Sequence, residues 1–327
     1  MKTSQKRALF SFIILMALFG VFSLLTPDLF LAPANLRNIL QQLVIFVIIA
    51  CGLTFPIVGG GNDLSVGASM ALAGIVVVAL LIAGTPLVIA IIISLVIGIA
   101  TGILNGFFIE FLGVVPFIAT LGTGWVFRGL ANSMVRGMPL YSRDIENETT
   151  RQAFDIIGNG RFGNSGIFYS VIIAMVYAII LGIILAKTRI GRQIYACGSN
   201  LEAAKLSGIS AKKTRMFAYA VSGFSAAICG VIMASRITSA QPNAMVGIEL
   251  EAIAMAVVGG VSIWGGEGSI LNTVIGALII GVLRNGLNLN GVDSFRQQVI
   301  IGLILIFAVA LQTARKKEIK LLRRKTS

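Results

Sequence analysis

Residues 43–58, LVIFVIIACGLTFPIV, contain no charged side chain, and neither do residues 87–100, LVIAIIISLVIGIA. Several stretches of this kind approach the ~20 apolar residues that an α-helix needs to cross a bilayer. The chain as a whole agrees, because 57% of its 327 residues are hydrophobic and only 12% are charged. Soluble domains carry about 25% charged residues. The sequence therefore predicts an all-α polytopic membrane protein, and it excludes a soluble enzyme and a disordered chain.

The alternation of apolar runs with polar breaks predicts about ten transmembrane helices of about 17 to 23 residues each. The predicted spans are residues 8–25, 39–58, 65–83, 86–108, 115–134, 167–186, 214–235, 248–264, 269–288 and 295–312. The third span begins in a glycine-rich stretch, and the eighth contains two glutamates and a Gly-Gly pair. These two spans are the least regular, and the eighth is a candidate for a broken or re-entrant helix.

Basic residues are concentrated in three polar segments, residues 1–7, 187–213 and 313–327. Lysine and arginine favour the cytoplasmic side of a membrane, and an even number of spans places both termini on that side. The longest remaining loop, residues 136–166, balances four arginines against four acidic residues, so we expect it in the periplasm. The first span is too long for a signal peptide and is expected to be an uncleaved anchor. The chain is thus predicted to form one transmembrane domain, residues 1–327.

Side chains that carry chemistry are scarce in this sequence. The chain has no histidine, which removes the commonest metal ligand and the commonest general acid or base. Its three cysteines, Cys51, Cys197 and Cys229, show neither metal-ligand nor disulfide spacing. It also lacks the Gly-x-x-x-x-Gly-Lys-Ser/Thr loop that holds nucleotide phosphates. We therefore expect a chain that is not itself an enzyme and that binds neither a metal nor a cofactor of its own.

The polar segment of residues 187–213 favours a short helix between two spans. Residues 202–206 are good helix formers, residues 198–200 can cap the start of such a helix, and Gly208 can end it. A short helix in this place offers a small-residue face to a cytoplasmic partner protein. The alternative is a basic surface helix that rests on anionic lipid headgroups, and the residues alone leave both interpretations open.

The same segment contains Glu202, Ala203, Ala204 and Gly208. These residues resemble the Glu-Ala-Ala-x-x-x-Gly loop by which the permeases of ABC importers dock on their ATPase. Further stretches resemble the ribose-type monosaccharide permeases of that class, namely residues 38–42, 59–67, 239–242, 249–260 and 281–289. Residues 59–67 read GGGNDLSVG, where the family usually has Gly-Ile-Asp in place of Gly-Asn-Asp. The resemblance covers nearly the whole chain in the same order.

This resemblance implies the architecture and the function of an ABC importer permease. It implies that the chain carries a monosaccharide such as ribose across a bacterial inner membrane. It also implies a dimer with a second permease copy or a paralogue, two cytoplasmic ATPase subunits and a periplasmic sugar-binding protein. ATP and Mg²⁺ would be bound by the ATPase subunits. The remaining contacts are expected to be with membrane lipid, and none with nucleic acid.

Polar side chains within the predicted spans are candidates for the substrate pathway. Trp125, Arg128 and Asn132 lie at positions i, i+3 and i+7, so one helix face carries an indole, a guanidinium and an amide. A sugar can stack on the indole and bond to the amide. An arginine inside a span is a functional candidate unless it snorkels to the interface. Asn105 and Asn285 are further candidates, although amides in such places more often join helix to helix.

Asp63 directly precedes the third predicted span. The N-terminus of a helix presents free N–H groups and a dipole that favours negative charge. The carboxylate is therefore expected to cap this helix, and the other interpretation is a gate or a dimer contact.

Glu249 and Glu251, at the start of the eighth span, support a different function. Acidic residues within a membrane protein can bind a proton or a cation, as a secondary transporter requires. Acidic residues also suit the N-terminus of a helix, which is the simpler interpretation. The sequence thus leaves an ion-coupled secondary transporter of a small polar solute as the alternative to an ATP-driven permease.

Overall fold

The computed structural model describes residues 2–163 and 166–325, and this part of the chain is almost entirely helical. Its α-helices are α1 (Lys2–Leu25), α2 (Pro27–Phe30), α3 (Pro33–Val58), α4 (Val66–Ile82), α5 (Leu87–Glu110), α6 (Pro116–Val135), α7 (Glu148–Asn159), α8 (Tyr169–Lys187), α9 (Arg189–Ser199), α10 (Leu201–Leu206), α11 (Ala211–Arg236), α12 (Ile248–Gly259), α13 (Ile270–Leu289) and α14 (Ser294–Lys325). A 3-10 helix spans Ser142–Asp144. Four two-residue strands are β1 (Leu140–Tyr141), β2 (Arg161–Phe162), β3 (Ile167–Phe168) and β4 (Ser239–Ala240), with β1 antiparallel to β4 and β2 antiparallel to β3.

Each of the ten predicted spans overlaps one helix of this bundle, in order α1, α3, α4, α5, α6, α8, α11, α12, α13 and α14. Among the described residues, α3, α5, α8, α11 and α13 are long and apolar enough to cross a membrane. Shorter apolar stretches lie at Leu9–Leu25, Val66–Ile82 and Ser294–Ala310. The all-helical, polytopic architecture is thus confirmed, whereas the count of ten spans and the cytoplasmic termini stay predictions.

The two irregular spans both involve broken helices. The predicted end of the eighth span at residue 264 is wrong, because α12 ends at Gly259 and Gly260 has a φ of 105°, which glycine adopts without strain. A helix of 12 residues is about 18 Å long, whereas the hydrocarbon core of a bilayer is about 30 Å thick. The third span begins at Val66, after the non-helical residues 59–65. α12 therefore reaches only part of the way across a membrane.

α3 and α11 form the buried centre of the bundle. Nearly every residue of α3 from Leu43 to Val58 is buried, which is why this stretch carries no charge. α5 crosses α11 closely, because Gly98, Gly102 and Gly106 all face the α11 backbone and leave no room for a side chain.

Helices α3–α6 and helices α11–α14 have the same arrangement, and the two sets run through the bundle in opposite directions. In each half a central helix leads through non-helical residues into a shorter helix, which packs against the next two helices. α3 ends where α11 begins, since Gly61 lies against Tyr219. Gly67 in the first turn of α4 lies against Ile248 and Glu249 in the first turn of α12. The two shorter helices therefore begin next to each other inside the bundle.

The two ends of the bundle carry different elements. At one end α7 covers the end of α11, where the Gly158 N–H donates to Ser235 Oγ at 2.8 Å and this hydroxyl donates to the Phe154 carbonyl at 2.6 Å. At the other end α9 and α10 lie beside the end of α3 and the start of α11. The polar loop predicted at residues 136–166 thus contains a folded cap, and residues 187–213 contain two short helices.

Replacing Gly102 with valine is expected to lower the stability of the detergent-solubilised protein. A Cβ at Gly102 would collide with the Tyr219 carbonyl group, and overpacking of this kind costs about 1–3 kcal/mol. The measurement is the fraction of monodisperse protein after heating, by size-exclusion chromatography. Gly20→Val is the matched control, because no neighbouring atom lies within 4 Å of a Cβ at that position of α1. Equal heat resistance of the two variants would contradict the close crossing of α5 and α11.

Candidate functional site

A buried carboxylate lies where α4 begins. Asp63 is 1% exposed, and its Oδ1 accepts hydrogen bonds from the Ser65 backbone N–H at 3.0 Å and from the Ser65 hydroxyl at 2.7 Å. Its Oδ2 accepts from the Ser222 hydroxyl of α11 at 2.7 Å. The Asn105 amide of α5 donates to Asp63 Oδ1 at 3.3 Å and to Ser65 Oγ at 2.7 Å. One carboxylate thus joins the start of α4 to both α5 and α11.

The same hydrogen-bond network extends to α6. The Thr123 hydroxyl of α6 donates to Asn105 Oδ1, and both side chains are buried. Nearby, the Tyr219 hydroxyl of α11 donates to the Asn62 carbonyl at 3.4 Å. A buried polar group without a partner costs about 1–3 kcal/mol, so these contacts determine how the four helices sit together. We call this cluster the Asp63 junction; it consists of Asp63, Ser65, Asn105, Thr123 and Ser222.

Two members of the Asp63 junction were candidates from the sequence. The structure places Asp63 ahead of α4, where its carboxylate receives the Ser65 N–H, and it brings Asn105 to the same carboxylate. The gate role of Asp63 and the pathway role of Asn105 stay predictions. Sequence reasoning missed Ser222 and Thr123, because a hydroxyl in an apolar helix is common and only the fold turns these two towards the junction.

Asp63→Ala is expected to destabilise the protein by about 2–5 kcal/mol, because the Ser222 hydroxyl and the Ser65 N–H lose their acceptor at about 1–3 kcal/mol each. Asp63→Asn keeps one acceptor oxygen and is expected to cost less. The measurement is thermal unfolding of the purified protein in detergent. The control is Asp144→Ala, which removes only an exposed ion pair with Arg143 and is expected to cost about 0–1 kcal/mol. Equal melting temperatures of Asp63→Ala and Asp144→Ala would show that the Asp63 junction does not stabilise the bundle.

The non-helical segment before α12, residues 237–247, is called the α12 linker here. Part of it lies against α4, since β4 contacts α4 and the Met245 carbonyl lies against Gly67. Arg128 of α6 holds it, because Nη1 donates to the Pro242 carbonyl and to the Ala244 carbonyl, each at 2.9 Å. Met245 has a φ of 50°, a left-handed conformation that is uncommon outside glycine. One guanidinium therefore stabilises a strained segment of backbone.

The three residues predicted to share a face of α6 have different surroundings. Asn132 joins Arg128 at the α12 linker, where its Nδ2 donates to Asn243 Oδ1 at 3.3 Å. Trp125 is 75% exposed on the surface of α6. The structure thus brings Arg128 and Asn132 to one segment, while the Trp125 indole stays available for a partner molecule. The pathway roles of all three residues remain predictions.

The two glutamates of α12 lie near arginines. Glu251 Oε1 accepts from Arg284 Nη2 of α13 at 2.7 Å, so its charge is already balanced by the protein. Glu249 lies against Gly67 of α4 and near enough to Arg128 for the two charges to attract each other. Glu249 therefore lies at the contact between the two broken helices, and Glu251 joins α12 to α13.

Asn285 of α13 pairs with Asn35 near the start of α3. The Asn35 amide donates to Asn285 Oδ1 at 3.0 Å, and the Asn285 amide donates to Asn35 Oδ1 at 2.9 Å. Asn35 also donates to the Phe30 carbonyl at 2.9 Å. The pair holds α13 against α3, so the structure gives Asn285 a helix-joining contact, and its role in the pathway stays a prediction.

Arg128→Gln is expected to release the α12 linker. A glutamine is too short to reach both carbonyls, and hydrogen bonds to a charged group contribute about 1.5–3 kcal/mol. Amides of residues 238–247 should then exchange with deuterium about tenfold faster or more, since 1.4 kcal/mol corresponds to a factor of ten. Hydrogen–deuterium exchange mass spectrometry measures this directly. Arg143→Gln, on the exposed surface, is the control, and wild-type exchange of the linker in Arg128→Gln would contradict the assignment.

The segment of α9 and α10 has clear helix boundaries. The Asn200 side chain accepts from the Ala203 N–H at 3.1 Å and so caps the start of α10. Gly208 follows the end of α10 with a φ of 77°, the left-handed conformation that terminates helices. The helix predicted between residues 198–200 and Gly208 is thereby confirmed.

α10 has one buried side and one exposed side. Ala204 packs with Cys197 of α9 in a small buried cluster. Glu202 and Ala203 are exposed, and Leu206 is 90% exposed. This leucine, on a helix otherwise rich in polar and small residues, offers apolar surface that a contacting molecule would bury.

The fold and these sites define a class of protein. A long bundle of apolar helices, with two helices broken inside it and a small helical segment at one end, is a membrane permease. A family model described as "Branched-chain amino acid transport system / permease component" matches residues 35–309, and the chain belongs to this family. Together with the apolar helices, this membership makes the chain a multi-pass protein of a bacterial inner membrane.

Individual relatives are sugar permeases. The chain is similar to the ribose import permease protein RbsC of Bacillus subtilis (strain 168), with 44% identity over 97% of this chain and 98% of the relative. It is also similar to the D-allose transport system permease protein AlsC of Escherichia coli (strain K12), at 38% identity over 92% and 90%. The galactose/methyl galactoside import permease protein MglC of the same strain is 37% identical over 94% and 95%. No solved structure matches the chain.

Proposed function

We propose that the chain is the transmembrane permease subunit of an ABC importer that carries a ribose-like monosaccharide across the inner membrane. The observation that carries this proposal is the 44% identity to a ribose import permease along 97% of the chain. The allose and galactose permeases are less similar, at 38% and 37% identity. An uncharged sugar also suits a bundle whose interior offers amides, hydroxyls and few ionisable groups.

The proposed topology has ten membrane spans and both termini in the cytoplasm. The basic residues near both termini and in residues 187–213 support it, since they favour the cytoplasmic side. α9 and α10 then lie in the cytoplasm, and the cap that contains α7 lies in the periplasm. α12 crosses only the cytoplasmic part of the membrane, and the α12 linker completes that span from the periplasmic side.

The proposed partners follow from this topology. A cytoplasmic ATPase subunit docks on α10 through Glu202, Ala203 and the exposed Leu206. The ATPase subunits bind ATP and Mg²⁺, while this chain supplies the surface on which they act. A periplasmic sugar-binding protein delivers the sugar at the α7 end, and a second permease copy or a paralogue completes the dimer within the lipid bilayer.

A contiguous set of contacts connects α10 to the candidate pathway. A short turn joins α10 to α11, so movement of α10 tilts α11. Ser222 of α11 is bonded to Asp63, which moves the start of α4 with it. The Asp63 junction reaches α6 through Thr123, and Arg128 of α6 holds the α12 linker. ATP-driven movement at the cytoplasmic end would thus displace the starts of both broken helices, where the sugar is proposed to pass.

Leu206→Asp is expected to abolish sugar uptake by preventing the ATPase subunit from docking. Burying a charged carboxylate in an apolar contact costs several kcal/mol, enough to lower the affinity by about a hundredfold or more. The measurement is co-purification of the ATP-hydrolysing subunit with the tagged permease from its own host, together with uptake of labelled ribose.

Ile156→Asp is the matched control for this substitution. Ile156 is an exposed apolar residue of α7 at the opposite end of the bundle, so its replacement is expected to leave the ATPase subunit bound. Normal ribose uptake by Leu206→Asp would contradict the docking role of α10. A wild-type chain that purifies without any ATP-hydrolysing protein would contradict the importer itself.

The ion-coupled alternative has less support from the structure. A coupling site needs an acidic group free to take up a cation. Of its two candidates, Glu251 is bonded to Arg284, which leaves Glu249 as the residue on which this alternative depends. Uptake that a protonophore stops while ATP is maintained would favour this alternative, and uptake that follows the ATP level would favour the importer.

A further inference from the structure

The turn between α12 and α13, residues 260–269, lies at the same end of the bundle as α10. We call it the α12–α13 turn. The Ser262 N–H donates to the Glu267 carbonyl at 3.0 Å, and the Gly265 N–H donates to the Ser262 carbonyl at 3.1 Å. Gly265 and Gly266 have φ values of 80° and 72°, which glycine adopts without a steric penalty. The turn therefore has a defined, internally bonded conformation.

This turn is built directly against α9 and the end of α3. The Gly266 N–H donates to the Val58 carbonyl at 2.8 Å. Gly198 of α9 lies so close to Val58 and Gly266 that no Cβ fits there. The Tyr195 hydroxyl of α9 donates to the Gly268 carbonyl at 2.7 Å. α9 and the α12–α13 turn thus form one continuous surface.

Two large apolar side chains are exposed at this end of the bundle. Leu206 on α10 is 90% exposed, and Trp264 in the α12–α13 turn is 53% exposed. The Trp264 backbone is held in the turn, where its N–H donates to Ser262 Oγ at 3.3 Å. Tryptophan is the residue type most enriched among the few side chains that dominate the binding energy of interfaces. An ordered turn that presents an indole beside α9, at the same end of the bundle as α10, is suited to contact the same partner.

We propose that Trp264 is a second anchor for the ATPase subunit that docks on α10, an inference that rests on the proposed function. The subunit would receive the indole in an apolar pocket next to the site for Leu206. This second contact reaches another part of the same half, because the turn connects α12 to α13 whereas α10 leads into α11. One ATPase subunit thereby acts on both the start of α11 and the end of the broken helix α12. An indole at this level also suits lipid headgroups, and the experiment separates the two environments.

The first test uses the fluorescence of Trp264. The chain has two tryptophans, so a Trp125→Phe variant leaves Trp264 as the single emitter. In nanodiscs, adding the ATPase subunit recovered with the wild-type chain is expected to shift the emission of Trp264 to shorter wavelength and to protect it from acrylamide. Brominated phospholipid is expected to leave the emission unchanged. The proposal is overturned if the bound ATPase subunit does not alter the emission of Trp264. It is also overturned if brominated phospholipid quenches that emission.

The second test measures affinity. Trp264→Ala is expected to weaken binding of the ATPase subunit by about tenfold or more, with Trp264→Phe in between. Phe295→Ala, an exposed residue at the other end of the bundle, is the control and is expected to bind like wild type. If Trp264→Ala binds the ATPase subunit with wild-type affinity while Leu206→Asp does not bind it, Trp264 is not a second anchor. The proposed function is unaffected by that result. Absence of any ATPase subunit from the wild-type complex overturns the proposed function, and with it this inference.

Discussion

Two helices of this bundle begin inside it, and the polar groups at these breaks must find partners without water. In a bilayer each unpaired backbone group costs several kcal/mol, so a break is stable only where protein groups replace the helix's own hydrogen bonds. The break before α4 exposes N–H and hydroxyl donors, and the carboxylate of Asp63 accepts from them. The break before α12 exposes carbonyl acceptors, and the guanidinium of Arg128 donates to them. A negatively charged side chain at one break and a positively charged one at the other thus supply partners for the exposed polar groups.

The contacts of Asp63 and Arg128 determine where polar groups can lie in the interior of the bundle. The broken helices touch at Gly67 and Ile248, with Glu249 on one side and the Asp63 junction close by. Elsewhere the described helices bury mainly apolar side chains against one another. A sugar needs hydrogen-bond partners along its route, so the meeting point of the breaks is where a polar solute loses least on leaving water. We therefore propose that the pathway passes the meeting point of the two breaks, where polar groups satisfy the backbone of α4 and α12.

Much of this architecture was predictable, because the apolar length of a helix is a local property of the sequence. Residues 43–58 show their burial directly, and each predicted span overlaps a helix. The end of α12 was not predictable from hydropathy, since residues 261–264 remain largely apolar while the backbone turns at Gly260. Asp63 and Arg128 stood out as charges beside or within apolar runs. Their partners did not, because Ser222 resembles any other hydroxyl in a helix and the acceptors of Arg128 are backbone carbonyls.

The strengths of the contacts at the two breaks differ, and this difference locates the movement. Asp63 receives donors from three helices, and hydrogen bonds to a charged group contribute about 1.5–3 kcal/mol each, so α4, α5 and α11 move as one body. Outside its β4 pairing with β1, the α12 linker is held by Arg128 and one amide contact from Asn132, and it contains Met245 in a conformation that costs about 1–3 kcal/mol. In the proposed importer, a displacement that enters through α11 would meet its weakest point in the part of the linker next to α12. The break before α4 would transmit the movement, and the break before α12 would yield to it.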